Sequence, residues 1–158
     1  MKPVNLIVAI DRRGAIGNNG DLVFHFREDL RRFKRITTGN TVIMGRRTWE
    51  SLPGALPGRL NIVISRNLQY KADGATVVQT LDDALALAEK AQGEPFIMGG
   101  AAIYALAAPL VSKLHITVVN DIAPEADTYI ASIDLDKFRA IAAEPCGQIT
   151  FHTLVKID

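Results

Sequence analysis

Cysteine occurs only once in this chain, at Cys146, so no disulfide can form within it, and that usage fits a reducing compartment. Charge of either sign is not in excess. The 18 Lys and Arg against 17 Asp and Glu leave a net +1, too weak a field to mark nucleic acid or an acidic membrane as a partner. Histidine is scarce: His25, His115 and His152 stand apart, none with another His or Cys at ligand spacing, so no metal site is expected. His115 and His152 fall in strand patterns and read as structural. No GxSxG elbow supports a serine hydrolase. Long apolar runs are missing too, and the stretch from Pro3 to Ile10 is too short to span a bilayer. Asp11, Arg12 and Arg13 follow it where a signal peptide would carry a small-residue cleavage site, so a cytoplasmic protein is expected. No repeat, low-complexity tract or linker interrupts the chain. One domain over residues 1–158 is therefore expected, large enough to bury a core without disulfides or metals.

What is present is an alternation of short apolar strands with helices. Val4 to Ile10, Thr41 to Met44, Asn61 to Ser65, Ala75 to Gln79, Pro95 to Met98 and Leu114 to Val119 read as strands, with further strands around Phe138 to Ala142 and Ile149 to Ile157. A Gly-punctuated loop, with Gly14, Gly17 and Gly20, lies between Asp11 and His25. Phe26, Leu30 and Phe33 recur at helical spacing through REDLRRFKR, which predicts an amphipathic helix. A short helix is predicted at Arg46 to Leu52. Another should run from Leu81 to Gln92, with Thr80 as its N-cap, Asp83 three residues on and Gly93 as its breaker. A last one begins at Ala101. Nearly continuous apolar strands between helices imply a three-layer α/β/α fold, with a central mostly parallel sheet and an antiparallel edge strand.

Three features carry chemistry. In FIMGGAAIY a strand runs into Gly99-Gly100 and then a helix, so that free N–H groups and close backbone approach could serve a dinucleotide pyrophosphate. The spacing is neither GxGxxG nor a P-loop, and a plain tight turn remains the alternative. In MGRRT, Arg46 and Arg47 stand where a strand meets a helix, and Ser65-Arg66 end another strand. Carboxyl ends of parallel strands are where open α/β sheets bind ligands. Together these ends suit one extended anionic ligand such as NADPH, or else they are solvated surface arginines. The third feature is Asp29, beside Leu30 and four residues before Phe33. It is either a dipole-compensating carboxylate at a helix start or a pocket carboxylate, its pKa raised by desolvation, that accepts two hydrogen bonds from an amidine-like heterocycle edge.

VNLIVAI, AIGNNGDL, EDLRRFKR, TVIMGRRTWESLPGALPGRLNIVISR, FIMGGAAIYALAAPL, LHITVV and ADTYI occur in this order, and together they resemble the dihydrofolate reductase family of the chromosomal bacterial type. The resemblance runs through nearly the whole chain. It implies NADPH as cofactor, 7,8-dihydrofolate as substrate, antifolates as inhibitors, and action as a monomer. It also implies that Asp29 is the catalytic and pterin-binding carboxylate, with Thr117 linked to it. Ile7, Leu30, Phe33, Leu52, Leu56 and Met98 would wall the pterin and benzoyl rings, Arg59 would pair with the α-carboxylate of the glutamate tail, and Lys34 would assist further along it. For the cofactor, Ala9 and Ile16 would hold the nicotinamide carboxamide by their backbones. Gly17, Asn18, Asn19, Gly20, Asp21 and Leu22 would belong to a lid, from Gly14 to Leu22, that closes over the nicotinamide. Arg46, Arg47, Thr48, Ser65 and Arg66 would bind the phosphates, with Gly45 and Gln79 also on the cofactor. The pyrophosphate turn would be Gly99, Gly100, Ala101, Ala102, Ile103 and Tyr104, with a cis Gly99-Gly100 peptide.

The chain departs from the family pattern in three places. Val23-Phe24 stands for a common Pro-Trp pair whose tryptophan helps position water beside the pterin; Phe24 has no N–H, and His25 follows it. Ala126-Asp127-Thr128 replaces Gly-Asp-Thr, and Ala102 replaces an arginine for which Arg66 could compensate. Two other readings compete. A pyrimidine reductase of riboflavin synthesis on the same fold would not need Asp29 between apolar neighbours, nor Arg59. An inactive folate- or NADPH-binding homologue would not need the full set.

Overall fold

The computed structural model describes residues 2–11, 15–18, 21–22, 27–119, 128–129 and 133–157. The first half holds β1 (Asn5–Ile10), β2 (Ala15–Asn18), β3 (Asp21–Leu22), α1 (Arg27–Thr37), β4 (Thr41–Gly45), α2 (Arg46–Glu50), β5 (Leu60–Ile64) and β6 (Thr76–Val78). The second holds α3 (Leu81–Lys90), β7 (Pro95–Ile97), α4 (Ala101–Ala107), β8 (Lys113–Val119), β9 (Thr128–Tyr129), β10 (Phe138–Cys146) and β11 (Ile149–Lys156). Eight strands form one sheet in the order β10-β11-β8-β1-β7-β4-β5-β6. From β8 to β6 every neighbouring pair is parallel. The antiparallel pairing expected at one edge is there: β11 runs against β8, and β10 folds back on β11 to close that edge. Gly147, at φ 62, turns the hairpin between them.

Alternation along each central strand makes the three layers. Leu6, Val8, Ile43, Ile62, Ile64 and Ile97 pack on one face with Leu81, Ala84 and Ala88 of α3 and Ile103, Tyr104 and Ala107 of α4. Ile7, Val42, Met44, Val63 and Phe96 pack on the other, against Phe33 and Ile36 of α1 and against Trp49, Leu52 and Leu56. Burial on both faces is why these strands read as continuous apolar runs. Thr80 does cap α3, its side chain accepting from the Asp83 N–H at 3.0 Å. That helix ends at Lys90, two residues sooner than its pattern suggests.

Helix α1 differs most from its sequence pattern. Leu30 is 54% exposed and Arg32 only 6%. The helix turns its Asp29–Arg32–Phe33 side toward the sheet and leaves Leu30 at a cleft, so an apolar stripe alone does not tell which face is covered. A second, small sheet in the order β3-β2-β9 joins Gly17 to Leu22 and to Thr128. It connects the Gly-rich segment with the ADTYI segment. Asn19, Gly20, Val23, Phe24, His25 and Phe26, along with Gly14, Ala126 and Asp127, lie outside the described residues. So do the side chains of Ile16, Gly17, Asn18, Asp21 and Leu22.

His115 is structural, as its strand pattern implies. It is 5% exposed, and its Nε2 lies 3.1 Å from Asn5 Oδ1. Asn5 Nδ2 is committed as donor to Glu94 Oε1, so Asn5 Oδ1 accepts and Nε2 carries the ring proton. Nδ1 meets no partner among the described residues. A second proton would sit there without an acceptor and near Lys113 and Arg32, and burial foremost pushes the pKa down to about 4. The unfolded chain takes up a proton near pH 6.5 that the folded chain refuses until about pH 4. Stability from this group is therefore complete above pH 6.5 and falls, by about 3 kcal/mol in all, as the pH drops toward 4. Urea unfolding at pH 7 and pH 4 should show a loss larger by that amount in the parent protein than in His115→Gln. Equal losses in the two would reject a buried neutral imidazole.

Candidate active site

The carboxyl ends of β1, β4, β5 and β7 open into one cleft of about 1830 Å³, lined by Ala9, Gly45, Ser65 and Met98 among others. That is roughly twice the upper end, ~1000 Å³, for a site holding a single drug-sized ligand. Its two ends differ in chemistry. Ile7, Asp29, Leu30, Phe33, Leu52 and Met98 form an apolar end around one carboxylate, while Arg46, Arg47, Thr48, Ser65, Arg66 and Gln79 form a cationic and polar end. Gly99, Gly100, Ala101, Ala102, Ile103 and Tyr104 also line the cleft.

Asp29 is the third residue of α1, in the helix's first acidic turn. Thr117 of β8 donates Oγ1–H to Asp29 Oδ1 at 2.5 Å. Desolvation raises the Asp29 pKa, opposed by the Thr117 hydrogen bond and by the positive charge of Arg32. Asp29 thus sits both at a helix start and at the apolar end of the cleft, with Oδ1 engaged behind it.

The glycine turn is tightly built. Its Gly99-Gly100 peptide is cis, as the resemblance implies. Gly45 N–H donates to Gly99 O at 2.9 Å, tying the end of β4 to the turn. Gly99 has φ +134, and a Cβ there would stand 3.1 Å from Thr48 Oγ1 and 3.5 Å from the Tyr104 hydroxyl. Only glycine leaves that backbone open toward the cleft. Tyr104 packs as core and also holds the turn, its hydroxyl donating to Ile7 O at 2.8 Å. Burial, and to a lesser degree the Asp29 charge, raises its pKa, so the phenol stays protonated.

Arg46 is oriented before any ligand arrives. Its Nε donates to Glu50 Oε2 at 3.3 Å, and its guanidinium lies 4.6 Å above the Tyr70 ring. Tyr70 in turn donates to Glu50 Oε2 at 3.2 Å. Neither Glu50 nor Tyr70 stands out as a site residue in the sequence. The i,i+4 spacing of Arg46 and Glu50 on a helix is a usable sign of the first, whereas Tyr70 arrives from a loop. Asn67, Thr80, Asp82, Leu106 and Leu110 also line the cleft, and no sequence motif marks them as site residues. Leu106 and Leu110, 60% and 47% exposed, follow the glycine turn at i,i+4 spacing, which is a signal that could have found them.

Among the expected site residues whose side chains are described, four do not line the cleft. Thr117 stands behind Asp29, to which it donates its hydrogen bond. Leu56 packs in the core layer below Leu52. Arg59 lies beside the apolar end: its Nη1 donates to Thr37 Oγ1 at 3.0 Å and its guanidinium stands 6.0 Å from the centroid of the Phe33 ring. Lys34 is exposed on the following turn of α1.

The family model described as dihydrofolate reductase matches residues 3–153. A dihydrofolate reductase of Mycobacterium leprae (strain TN) is 39% identical over 158 residues, covering 98% of this chain and 91% of that protein. One from Neisseria gonorrhoeae is 46% identical over 140 residues, with 88% of this chain and 85% of that protein covered. Among solved structures, a dihydrofolate reductase from Enterococcus faecalis complexed with NADP(H) and RAB-propyl superposes with a TM-score of 0.91 at 30% identity. It covers 99% of this chain and 97% of that one.

Proposed function

The chain belongs to the dihydrofolate reductase family, and we propose how its residues divide the work of reducing 7,8-dihydrofolate with NADPH. The observation that carries the assignment is the two-ended cleft, with one carboxylate held by Thr117 at its apolar end and arginines at the other. The cationic end fits the cofactor's phosphates, and the bare Gly99 backbone fits a pyrophosphate lying against it. NADPH, when bound, supplies the hydride that C6 of dihydrofolate receives, with a proton added at N5 to give tetrahydrofolate and NADP⁺.

Asp29 accepts hydrogen bonds from the pterin 2-amino group and N3, and its negative charge favours the protonated pterin. With Oδ1 already bonded to Thr117, the carboxylate keeps its remaining lone pairs for the substrate. The other ionisable side chain near the apolar end among the described cleft residues is Tyr104, which is buried, stays protonated and donates its hydroxyl to Ile7 O, so the N5 proton arrives through water. Phe33, Leu30 and Ile7 keep the rings aligned and dry. Antifolates would use the same carboxylate. The segment from Gly14 to Leu22, tied by β2 to Thr128, serves as the lid over the nicotinamide. Ala9 and Ile16 hold the carboxamide by their backbones. A pyrimidine reductase of riboflavin synthesis or an inactive homologue leaves the pairing of Asp29 with Thr117 and the position of Arg59 without a use.

No helix among the described residues is long and apolar enough to cross a membrane. We place the enzyme in the cytoplasm, which its single free cysteine supports. We read 1–158 as one domain acting as a monomer, since one sheet draws on both ends of the chain and one chain supplies the whole cleft.

The purified protein should oxidise NADPH only when dihydrofolate is supplied. Arg59→Ala should raise the KM for dihydrofolate about tenfold with little change in kcat, because the tail contact is the same in ground and transition states. If folate affinity held while NADPH affinity collapsed, Arg59 would belong to the other half of the cleft.

A further inference from the structure

Arg32 is a buried charge that the hydride-transfer chemistry leaves without a use. It is 6% exposed, with its guanidinium 4.7 Å above the Phe151 ring and Nη2 donating to Thr153 Oγ1 at 3.4 Å. A surface helix position would ordinarily let such a side chain reach water. Arg32 instead points inward one turn along α1 from Asp29, the i,i+3 spacing that makes two side chains neighbours. The sheet below repeats this pairing. Thr117, which donates to Asp29, stands directly opposite Phe151 in the β8–β11 ladder, and Phe151 stands opposite Glu144 in the β11–β10 ladder. One row across three strands thus presents Thr117, Phe151 and Glu144 to the same face of the sheet.

We propose that Arg32 is a positioning residue for the reductase reaction: held on Phe151 and Thr153, its buried guanidinium keeps the Asp29 carboxylate charged and so sets the pH range over which the enzyme works. The inference rests on the reading of Asp29 as the substrate carboxylate. Among the described residues the groups around the pair are few. Asp29 faces Thr117 from β8, Tyr104 from α4 and Arg32 from its own helix. Arg32 feels Glu144 from β10 and Arg35 from α1, and its charge reaches His115, which Lys113 also affects. Asp29 is desolvated, and the charge of Arg32 opposes that desolvation. Arg32 itself is partly desolvated and steadied by two carboxylates, Glu144 before Asp29.

The test is the titration of Asp29 in the full chain, followed by its side-chain carboxyl ¹³C resonance and assigned by its loss in Asp29→Asn. Arg32→Met keeps the length and apolar stem of the side chain without its charge, and should raise the Asp29 midpoint by about one pH unit. Arg32→Lys should restore most of the parent value. The ionisation seen in the pH profile of kcat/KM for dihydrofolate should move by the same amount as the carboxyl midpoint. Arg32→Gln, which removes the charge but keeps a hydrogen-bond donor for Thr153, provides an independent arm should Arg32→Met fail to fold. It removes the same charge and should raise the midpoint likewise. A midpoint unmoved in a folded Arg32→Met protein, or unmoved in Arg32→Gln if the first does not fold, overturns the proposal. The resonance reports the coupling whether or not Asp29 binds substrate, so its failure is distinct from a failure of the substrate assignment, which Asp29→Asn kinetics report.

Discussion

Asp29→Asn should fold, bind NADPH as the parent does, and lose about a hundredfold or more in kcat/KM for dihydrofolate at pH 7. The substitution is nearly isosteric, so no cavity opens in α1. Removing a charge from a site that already disfavours it offsets the lost interaction with the helix start. The functional loss has a separate origin. A carboxylate offers acceptors on both oxygens, and Thr117 uses one at Oδ1. An amide has one oxygen and one NH₂; the Thr117 hydroxyl can turn to accept from the NH₂, but the pterin edge, with two donors, then meets a donor on one side. The substitution also removes the negative charge that favours protonation at N5. Thermal denaturation beside steady-state kinetics separates the two effects. An unchanged kcat/KM in a folded Asp29→Asn protein would show that the reaction does not run through this carboxylate.

Replacing Arg46, Arg47 and Arg66 together by alanine should reduce the preference for NADPH over NADH about a hundredfold, with kcat at saturating cofactor changed little. The two cofactors differ by one phosphate, so the preference measures what binds it. The arginines line the polar end of the cleft. Arg46 is held by Glu50 through Nε, which leaves its two Nη groups for a bidentate contact. The guanidinium of Arg46 is half exposed, so solvent and salt weaken each contact, and the combined effect is smaller than that of three buried pairs. For the same reason the parent preference should itself decline as ionic strength rises. A triple variant that still prefers NADPH as strongly would place the 2′-phosphate elsewhere.

Much of this site is legible in the amino-acid sequence. Gly99-Gly100, Arg46-Arg47 and Ser65-Arg66 each follow an apolar strand, and strand ends in a parallel sheet converge on one side by topology. Asp29 stands out by its apolar neighbours, but its role does not, because a first-turn carboxylate looks the same whether it faces solvent or a pocket. Leu30 and Arg32 show the limit of periodicity. The pattern marks a stripe, while the sheet beneath decides which side of that stripe is covered. Burial then falls on Arg32 because Phe151 offers an aromatic face for the guanidinium, and Leu30 is left 54% exposed at the cleft.

Local spacing, and the connectivity that parallel strands impose, settle the order of strands and helices, the need for glycine at Gly99, and the convergence of a carboxylate end with a phosphate end. All of these are written along the chain. The partners are not, and they depend on the folded sheet. Thr117 meets Asp29 across 88 residues, His115 meets Asn5 across 110, and Arg32 meets Thr153 across 121. No local pattern encodes such pairs, because each exists only once β1, β8 and β11 have taken their register. Those partners decide which groups are charged, and through them the chemistry at the apolar end of the cleft.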